Sequence, residues 1–305
     1  MTHDSRPTLA HSQNFLTSTR LVDRLLSACS IGPADVVYDI GAGKGMITER
    51  LVPRCRWVVA VERDPVLAAH LRHRFSGVPQ VAVLGADVLS ITLPRTPFKV
   101  FASIPFNITS AIITRLTTGA GQPEDSYLVV QKEAASRFIG QPGQTLAALL
   151  LRPWFEPTMQ HRFQRTDFAP VPSVETVLLR LRKRGPPLLS PGEAQIYRDF
   201  TTYVFTAWQP SLQATLGAVF PSRQLARICQ AAALSPQATP SSVCFDQWLE
   251  LFGQFLRTSD PSHRRIIQGA QRRLQVQQAR VHKSHRTRAN PRYHGHTPRQ
   301  RPTER

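Results

Sequence analysis

Apolar residues recur in two rhythms along this chain. From about Thr17 to Lys183, short β-branched runs alternate with stretches that carry helical spacing. Val36-Val37-Tyr38-Asp39-Ile40 predicts a strand, followed by a glycine turn and a helix through Leu51. Trp57-Val58-Val59-Ala60-Val61 predicts a second strand, after which Asp64 as N-cap and Pro65 at the first position open a helix. Gln80 to Leu84, Phe98 to Ala102, Ser126 to Gln131 and Val177 to Leu181 are further strands, the last followed by a basic, proline-containing break from Arg182 to Pro187. Strands alternating with helices imply an α/β fold, a Rossmann-like and mostly parallel sheet covered by helices on both faces. The expected first domain is residues 1–183.

From about Leu188 to Leu256 the spacing turns helical throughout, as in Ile196, Phe200, Tyr203 and Val204, with Pro210, Pro221, Pro236 and Pro240 as punctuation. A small all-helical domain is expected over residues 188–256. Beyond it, residues 257–305 hold few apolar positions, so this segment is expected to form a disordered basic tail.

Charge sharpens this division. The chain of 305 residues has a formal net charge of +18, which points to an acidic polymer as partner. The last 49 residues carry 13 Lys or Arg against Asp260 and Glu304, leaving +11 in the tail, a candidate contact for phosphates. Arg outnumbers Lys by 33 to 5, which suits stacking on bases and bidentate pairing with phosphate, although a GC-rich genome would also produce it. Cys29, Cys55, Cys229 and Cys244 form no C-x-x-C pair, so no metal site or redox motif is readable. Met1 to Gln13 is polar, and no run of about 18 apolar residues occurs; a cytoplasmic location and no membrane partner are expected.

The candidate chemistry begins at Asp39-Ile40-Gly41-Ala42-Gly43-Lys44-Gly45, between a strand and a helix. Glycines let the backbone turn sharply and come close to a ligand. The spacing is G-x-G-x-G, not the G-x-G-x-x-G that seats a pyrophosphate. Glu62 ends the next strand, 21 residues after Gly41, where a carboxylate can accept both hydroxyls of a ribose. Asp87 follows the third strand, placed to receive an adenine amine. A turn without phosphate spacing and two such carboxylates suit a nucleoside cofactor such as S-adenosylmethionine.

Four further segments complete a pattern: Ser12-Gln13-Asn14-Phe15-Leu16, Ser103-Ile104-Pro105-Phe106-Asn107-Ile108-Thr109, Gln131-Lys132-Glu133-Ala134-Ala135 and Phe168-Ala169-Pro170-Val171-Pro172-Ser173-Val174. With the glycine turn, they resemble the ribosomal RNA adenine N6-methyltransferases, the family of the Erm resistance enzymes and the KsgA-type dimethyltransferases. The resemblance covers about Ser12 to Leu256. Gly41-Ala42-Gly43 looks more like the Erm branch, whose members modify one adenine of 23S rRNA at the macrolide site; the KsgA branch usually carries Gly-Pro-Gly there. Basic C-terminal extensions also look like those of actinobacterial Erm proteins.

The resemblance implies roles for particular residues. Asn14 and Leu16 would contact S-adenosylmethionine, Gly41 and Gly43 would lie against its methionine part, Glu62 would hold its ribose and Asp87 its adenine. Ser103 would stand at the methyl-transfer site, with carbonyls near Ser103 and Ile104, stiffened by Pro105, accepting the hydrogens of the target amine. Phe106 would stack on a flipped-out adenine and Phe168 would close its other face. One position departs from the family pattern: where Ser103 stands the family usually has Asn, whose carbonyl reaches further than a serine hydroxyl. The function so implied is methylation of an adenine N6 in 23S rRNA by a monomer, giving macrolide, lincosamide and streptogramin B resistance. The alternatives are a KsgA-type dimethyltransferase acting on 16S rRNA and a non-catalytic RNA-binding factor of the same fold.

Overall fold

The computed structural model describes residues 15–280 apart from 208, 210 and 236. Seven strands form one sheet: β2 (Val36–Ile40), β3 (Trp57–Glu62), β4 (Val81–Gly85), β5 (Lys99–Ser103), β6 (Asp125–Gln131), β7 (Phe155–Arg162) and β9 (Thr176–Lys183), in the order β4-β3-β2-β5-β6-β9-β7. The five strands from β2 to β6 run parallel, while β9 is antiparallel to β6 and β7 is antiparallel to β9. All six strands expected from the hydrophobic runs are present. The seventh, β7, was not anticipated, because Pro157 and the polar residues around it do not read as a strand. It pairs only with β9, at the sheet edge where a proline's missing N–H costs least.

Alternation along the strands divides the sheet into two packed faces. Val61, Val100, Ala102, Leu128 and Leu179 meet Ile112, Ile113 and Leu116 of α4 (Thr109–Thr117) and Phe138 of α5 (Lys132–Ile139). Val37, Val58, Phe101, Tyr127 and Leu178 meet Leu21 and Leu25 of α1 (Thr19–Ser27) and Ile47 and Leu51 of α2 (Met46–Leu51). The helix α3 (Pro65–Arg74) opens as expected, with the Asp64 carboxylate accepting the amides of Val66 and Leu67 and Pro65 in the first turn.

The strand order places a topological switch between β2 and β5: the chain progresses outward to β3 and β4 on one side and to β6 on the other. Crevices outside the carboxyl ends of strands at such a point are where open α/β sheets take ligands. Ile40 and Ser103, the last residues of β2 and β5, both end there.

The second core is helical: α7 (Pro191–Thr206), α8 (Leu212–Leu216), α9 (Ser222–Ala231) and α10 (Phe245–Thr258) bury Tyr197, Phe200, Leu216, Trp248, Phe252 and Phe255. Phe200 and Phe255 lie 4.8 Å apart between ring centres. Leu149 of α6 (Leu146–Leu151) packs into this core from the sheet side, and the Tyr197 hydroxyl donates to the Leu149 carbonyl at 3.0 Å.

The expectation of disorder from residue 257 onward is corrected for its first part. Two helices, α11 (Pro261–Ile267) and α12 (Ala270–Arg280), follow α10, and Ile267 and Ala270 are buried. The few apolar residues there suffice because the Asp199 carboxylate of α7 accepts the Gly269 and Gln271 amides, each at 3.0 Å. The rest of the basic segment, residues 281–305, lies outside the described residues. No helix among the described residues is long and apolar enough to cross a membrane.

Tyr197→Phe is expected to lower stability by about 1–2 kcal/mol, because it strips the buried Leu149 carbonyl of its donor. Urea denaturation followed by circular dichroism checks this, and a change below about 0.3 kcal/mol would mean that the bond does not tie the two cores.

Candidate functional site

The site is built where β2 and β5 end. After Ile40 the backbone passes through three positive φ angles, +73° at Gly41, +55° at Gly43 and +85° at Gly45, conformations that side chains other than glycine's rarely adopt. The Gly41 and Ala42 amides donate to the Val61 carbonyl at 2.8 and 3.2 Å, which pins the turn against the end of β3. At Gly41 a Cβ would stand 3.3 Å from the Ser103 carbonyl oxygen, so the turn lies directly against the end of β5. At Gly43 a Cβ would fall 2.7 Å from the Phe15 ring.

That contact with Phe15 shows how the N-terminal segment reaches the site. Phe15–Leu16 forms a two-residue strand, β1, that pairs with β8 (Phe168–Ala169), and the Thr17 amide donates to the Asp167 carbonyl at 2.9 Å. Sewn down in this way, Phe15 roofs the glycine turn, with the Lys44 ammonium 5.9 Å from its ring centre. A cavity of about 110 Å³ results. Phe15, Leu16, Gly41, Ala42, Met46 and Ile47 form one side of it. Ser103, Ile104, Pro105 and Phe106 form the other.

The second wall is held by its own turn. Pro105 is extended, the Ile108 amide donates back to its carbonyl at 3.2 Å, and Thr109 Oγ1 donates to the Phe106 carbonyl at 3.2 Å. These bonds leave Phe106 half-buried on the cavity lining. Aside from Lys44, the lining contains no ionisable side chain. The cavity can therefore position and desolvate a reactant, but it offers no carboxylate or imidazole as a base.

Glu62 and Asp87 stand at the ends of β3 and β4, outside the enclosed cavity. Glu62 is 2% exposed, and its two carboxylate oxygens accept the Gly43 and Asp64 amides, each at 2.9 Å. Each oxygen keeps a second acceptor direction. Asp87 accepts the Leu89 amide at 2.9 Å and faces the Arg63 guanidinium at 3.6 Å, while the Ala86 amide donates to the Glu62 carbonyl and holds the two strand ends together. Behind the turn, Asp39 is fully buried and accepts the Thr48 hydroxyl at 2.6 Å. Burial pushes its carboxyl up to about 7, the Thr48 hydrogen bonds pull it down and the nearby Glu62 adds to the rise.

The structure thus gathers Leu16, Gly41, Ser103, Ile104, Pro105 and Phe106 around one cavity, with Gly43 under its roof and Glu62 and Asp87 along one margin. Asn14 lies outside the described residues. Phe168 does not fit the expectation that it closes over a base: it is 2% exposed, packs edge-on against Phe163 at 5.3 Å and is absent from the lining. Its register opposite Leu16 explains this, since the β1–β8 pair turns its side chain into the core. Sequence reasoning gave no role to Phe15, Met46 and Ile47. Met46 and Ile47 open the helix after a glycine turn, a position that signals ligand contact, whereas the role of Phe15 depends on a pairing with residues 150 positions away.

Comparison with known proteins agrees with this geometry. The family model described as ribosomal RNA adenine dimethylase matches residues 6–255. An rRNA adenine N-6-methyltransferase of Saccharopolyspora erythraea is 32% identical over 250 residues, 82% of this chain and 65% of its own length, so the chain spans just under two thirds of that relative. An rRNA methyltransferase of Streptomyces thermotolerans is 35% identical over 79% of this chain and 81% of its own length. The mycinamicin-resistance protein MyrB of Micromonospora griseorubida is 31% identical over 79% of this chain and 76% of its own. Among solved structures, the 23S rRNA methyltransferase ErmE superposes with a TM-score of 0.73 at 32% identity, covering 79% of this chain and 99% of that one.

The buried Asp39 has a testable consequence. Its carboxyl is raised from an ordinary 3.8 to about 7, so the folded state holds a proton that the unfolded state has lost. Stability from this group is full below the ordinary value and falls on the order of 1 kcal/mol per pH unit as pH rises towards the folded value. Asp39→Asn is expected to flatten that fall. Urea denaturation at pH 5, 6, 7 and 8 should show the variant gaining on the wild type up to about 7 and no further; a constant difference would contradict the assignment.

Proposed function

The chain belongs to the ribosomal RNA adenine dimethylase family, and from that premise we propose that it methylates the N6 of one adenine in 23S rRNA with S-adenosylmethionine, so conferring macrolide, lincosamide and streptogramin B resistance. The observation that carries this reading is the cavity between the glycine turn and the Ser103–Phe106 loop. It joins a surface shaped for a nucleoside cofactor to an aromatic ring shaped for a base. The resistance and the 23S target are supported by the relatives named above.

The residues fit the cofactor. Gly41 puts bare backbone on the cavity wall, and Glu62 keeps acceptor capacity for two ribose hydroxyls. Asp87 offers a carboxylate one strand further along for an adenine amine. Glu62 and Asp87 lie outside the cavity lining, so the ribose and adenine belong on the margin beside them, with Phe15 and Leu16 over the reactive end. When bound, S-adenosylmethionine supplies a methyl group made electrophilic by its sulfonium.

Everything else falls to the chain's own groups. An adenine amine is a weak nucleophile, because its lone pair is delocalised into the ring. Its product ammonium sheds a proton readily, so the lack of a base in the lining is no obstacle. What the site must supply is alignment with an extracted base. Phe106 offers a π-face worth roughly 1–3 kcal/mol to a stacked base. The Ser103 hydroxyl and the carbonyls at Ser103 and Ile104 accept the amine hydrogens and set the direction of the lone pair. The helical unit at 188–256 provides RNA recognition. The proposal takes a monomer as the active form, working in the cytoplasm where ribosomes assemble.

Primer extension on ribosomal RNA from cells expressing the chain tests the reading. A stop at one adenine of 23S rRNA is expected, and a stop only in 16S rRNA would replace it with small-subunit methylation. Phe106→Ala is expected to lower turnover more than about tenfold while cofactor affinity by calorimetry is kept. Unchanged turnover would remove the stacking role. Ser103→Asn is expected to stay active and to raise the ratio of dimethyl to monomethyl product, measured by mass spectrometry of digested RNA; an inactive variant would show that the amine is held differently.

A further inference from the structure

The helices α11 and α12 lie beyond residue 255, where the family match ends, and nothing in the catalytic cavity calls for them. Their attachment is specific. Asp199, 6% exposed on α7, uses both carboxylate oxygens to cap the first amides of α12 from 70 positions away. This clip fixes which way α12 faces. Ala270, Gln271 and Leu274 turn inward, Gln271 receiving a hydrogen bond from Gln195 of α7 at 3.4 Å. Arg272, Arg273, Val276 and Arg280 turn outward and are exposed.

The outward face is electrostatically unbalanced. Residues 261–280 contain five arginines and no carboxylate. Along the chain, the last arginine with a carboxylate partner among the described residues is Arg257, 2.9 Å from Glu250. Arg272 and Arg273 moreover sit in the first turn of α12, the end of a helix that disfavours cations. Surfaces commonly intersperse both signs, so a face of arginines alone suits an external anion.

The inner edge of α12 leads back to the site. Between α12 and α4 runs a groove of about 540 Å³, with Gln275 and Gln278 on one wall, Ser110 and Thr114 on the other, and Arg137 and Arg198 reaching in. It too has no carboxylate in its lining. Helix α4 begins immediately behind the turn that carries Phe106, so the groove starts within one helical turn of the catalytic loop.

We propose that α11 and α12 form a second RNA contact, clipped in place by Asp199, which takes backbone phosphates flanking the target adenine. The groove along α4 guides the strand from Phe106 towards this contact. The inference rests on the rRNA methyltransferase reading and adds a location for the substrate's backbone.

The test uses the full chain, residues 281–305 included, with a naked 23S rRNA fragment and tritiated cofactor. The triple variant Arg272→Gln, Arg273→Gln, Arg280→Gln alters exposed side chains, of which Arg273 also donates to the Gln268 carbonyl at 2.7 Å. Its KM for RNA should rise at least about fivefold with kcat held within about twofold, and the slope of log affinity against log salt should flatten by roughly 2, about 0.7 per lost contact. Asp199→Ala should give the same KM rise together with faster amide exchange over residues 270–280. If wild type methylates the fragment and the triple variant matches its KM and slope, the second contact is refuted while the methyltransferase reading stands. If wild type binds cofactor but leaves every RNA unlabelled, the parent reading fails and this inference with it.

Discussion

Two strand ends can be brought within contact distance only if the backbone between them carries nothing in the way. At the switch between β2 and β5 that condition is met by Gly41, whose missing Cβ leaves room for the Ser103 carbonyl. The cavity, its aromatic wall and its roof follow from this approach. A Cβ at residue 41 would stand 3.3 Å from the Ser103 carbonyl oxygen, so the turn or the end of β5 would have to give by a few tenths of an ångström, and the φ of +73° would be strained besides. The hydrogen bonds around it, from Gly41 and Ala42 to Val61 and from Gly43 and Asp64 to Glu62, keep the turn in a conformation that it would otherwise leave. Glu62 is a brace as well as a candidate ligand, and so is placed before any ligand arrives.

The chemistry that such a cavity supports is one of alignment. Its lining is aromatic, aliphatic and backbone, and its single ionisable side chain is the Lys44 ammonium. Acid–base catalysis needs a group with a proton to trade, and none lines the space. A reaction between an activated methyl and a nitrogen that loses its proton unaided needs none. Orientation and exclusion of water are what the site supplies, and these depend on rigidity. The turn at Pro105 to Thr109 and the strand pair β1–β8 provide that rigidity from opposite sides.

The helical unit is held by contacts of the same kind. Leu149 and the Tyr197 hydroxyl lock it to the sheet, so its orientation relative to the cavity is fixed. The Asp199 clip then orients α12 against α7, turning an arginine-rich sequence into a directed face. Charge that would be diffuse along a free chain is thereby held on one face of α12.

The sequence alone determined the six strands that carry hydrophobic runs, the N-cap at Asp64 and the glycine turn, because each is written in local spacing and turn chemistry, while the loop from Ser103 to Phe106 stood out only through its resemblance to a family motif. It also placed the helical unit, through a change of period. Only the tertiary structure decided which of those parts meet. The edge strand β7 was hidden by Pro157, which is tolerated because one side of that strand has no partner. Phe168 carries the same signal whether it faces a base or a core, and its pairing with Leu16 settled on the core. Phe15 became the roof, and α12 was clipped in place, through bonds to Asp167 and Asp199 far away in the chain, whereas α11 is capped locally by Asp260. Periodicity records the preferences of neighbours; contacts between distant residues depend on how the whole chain closes, and no local pattern contains them.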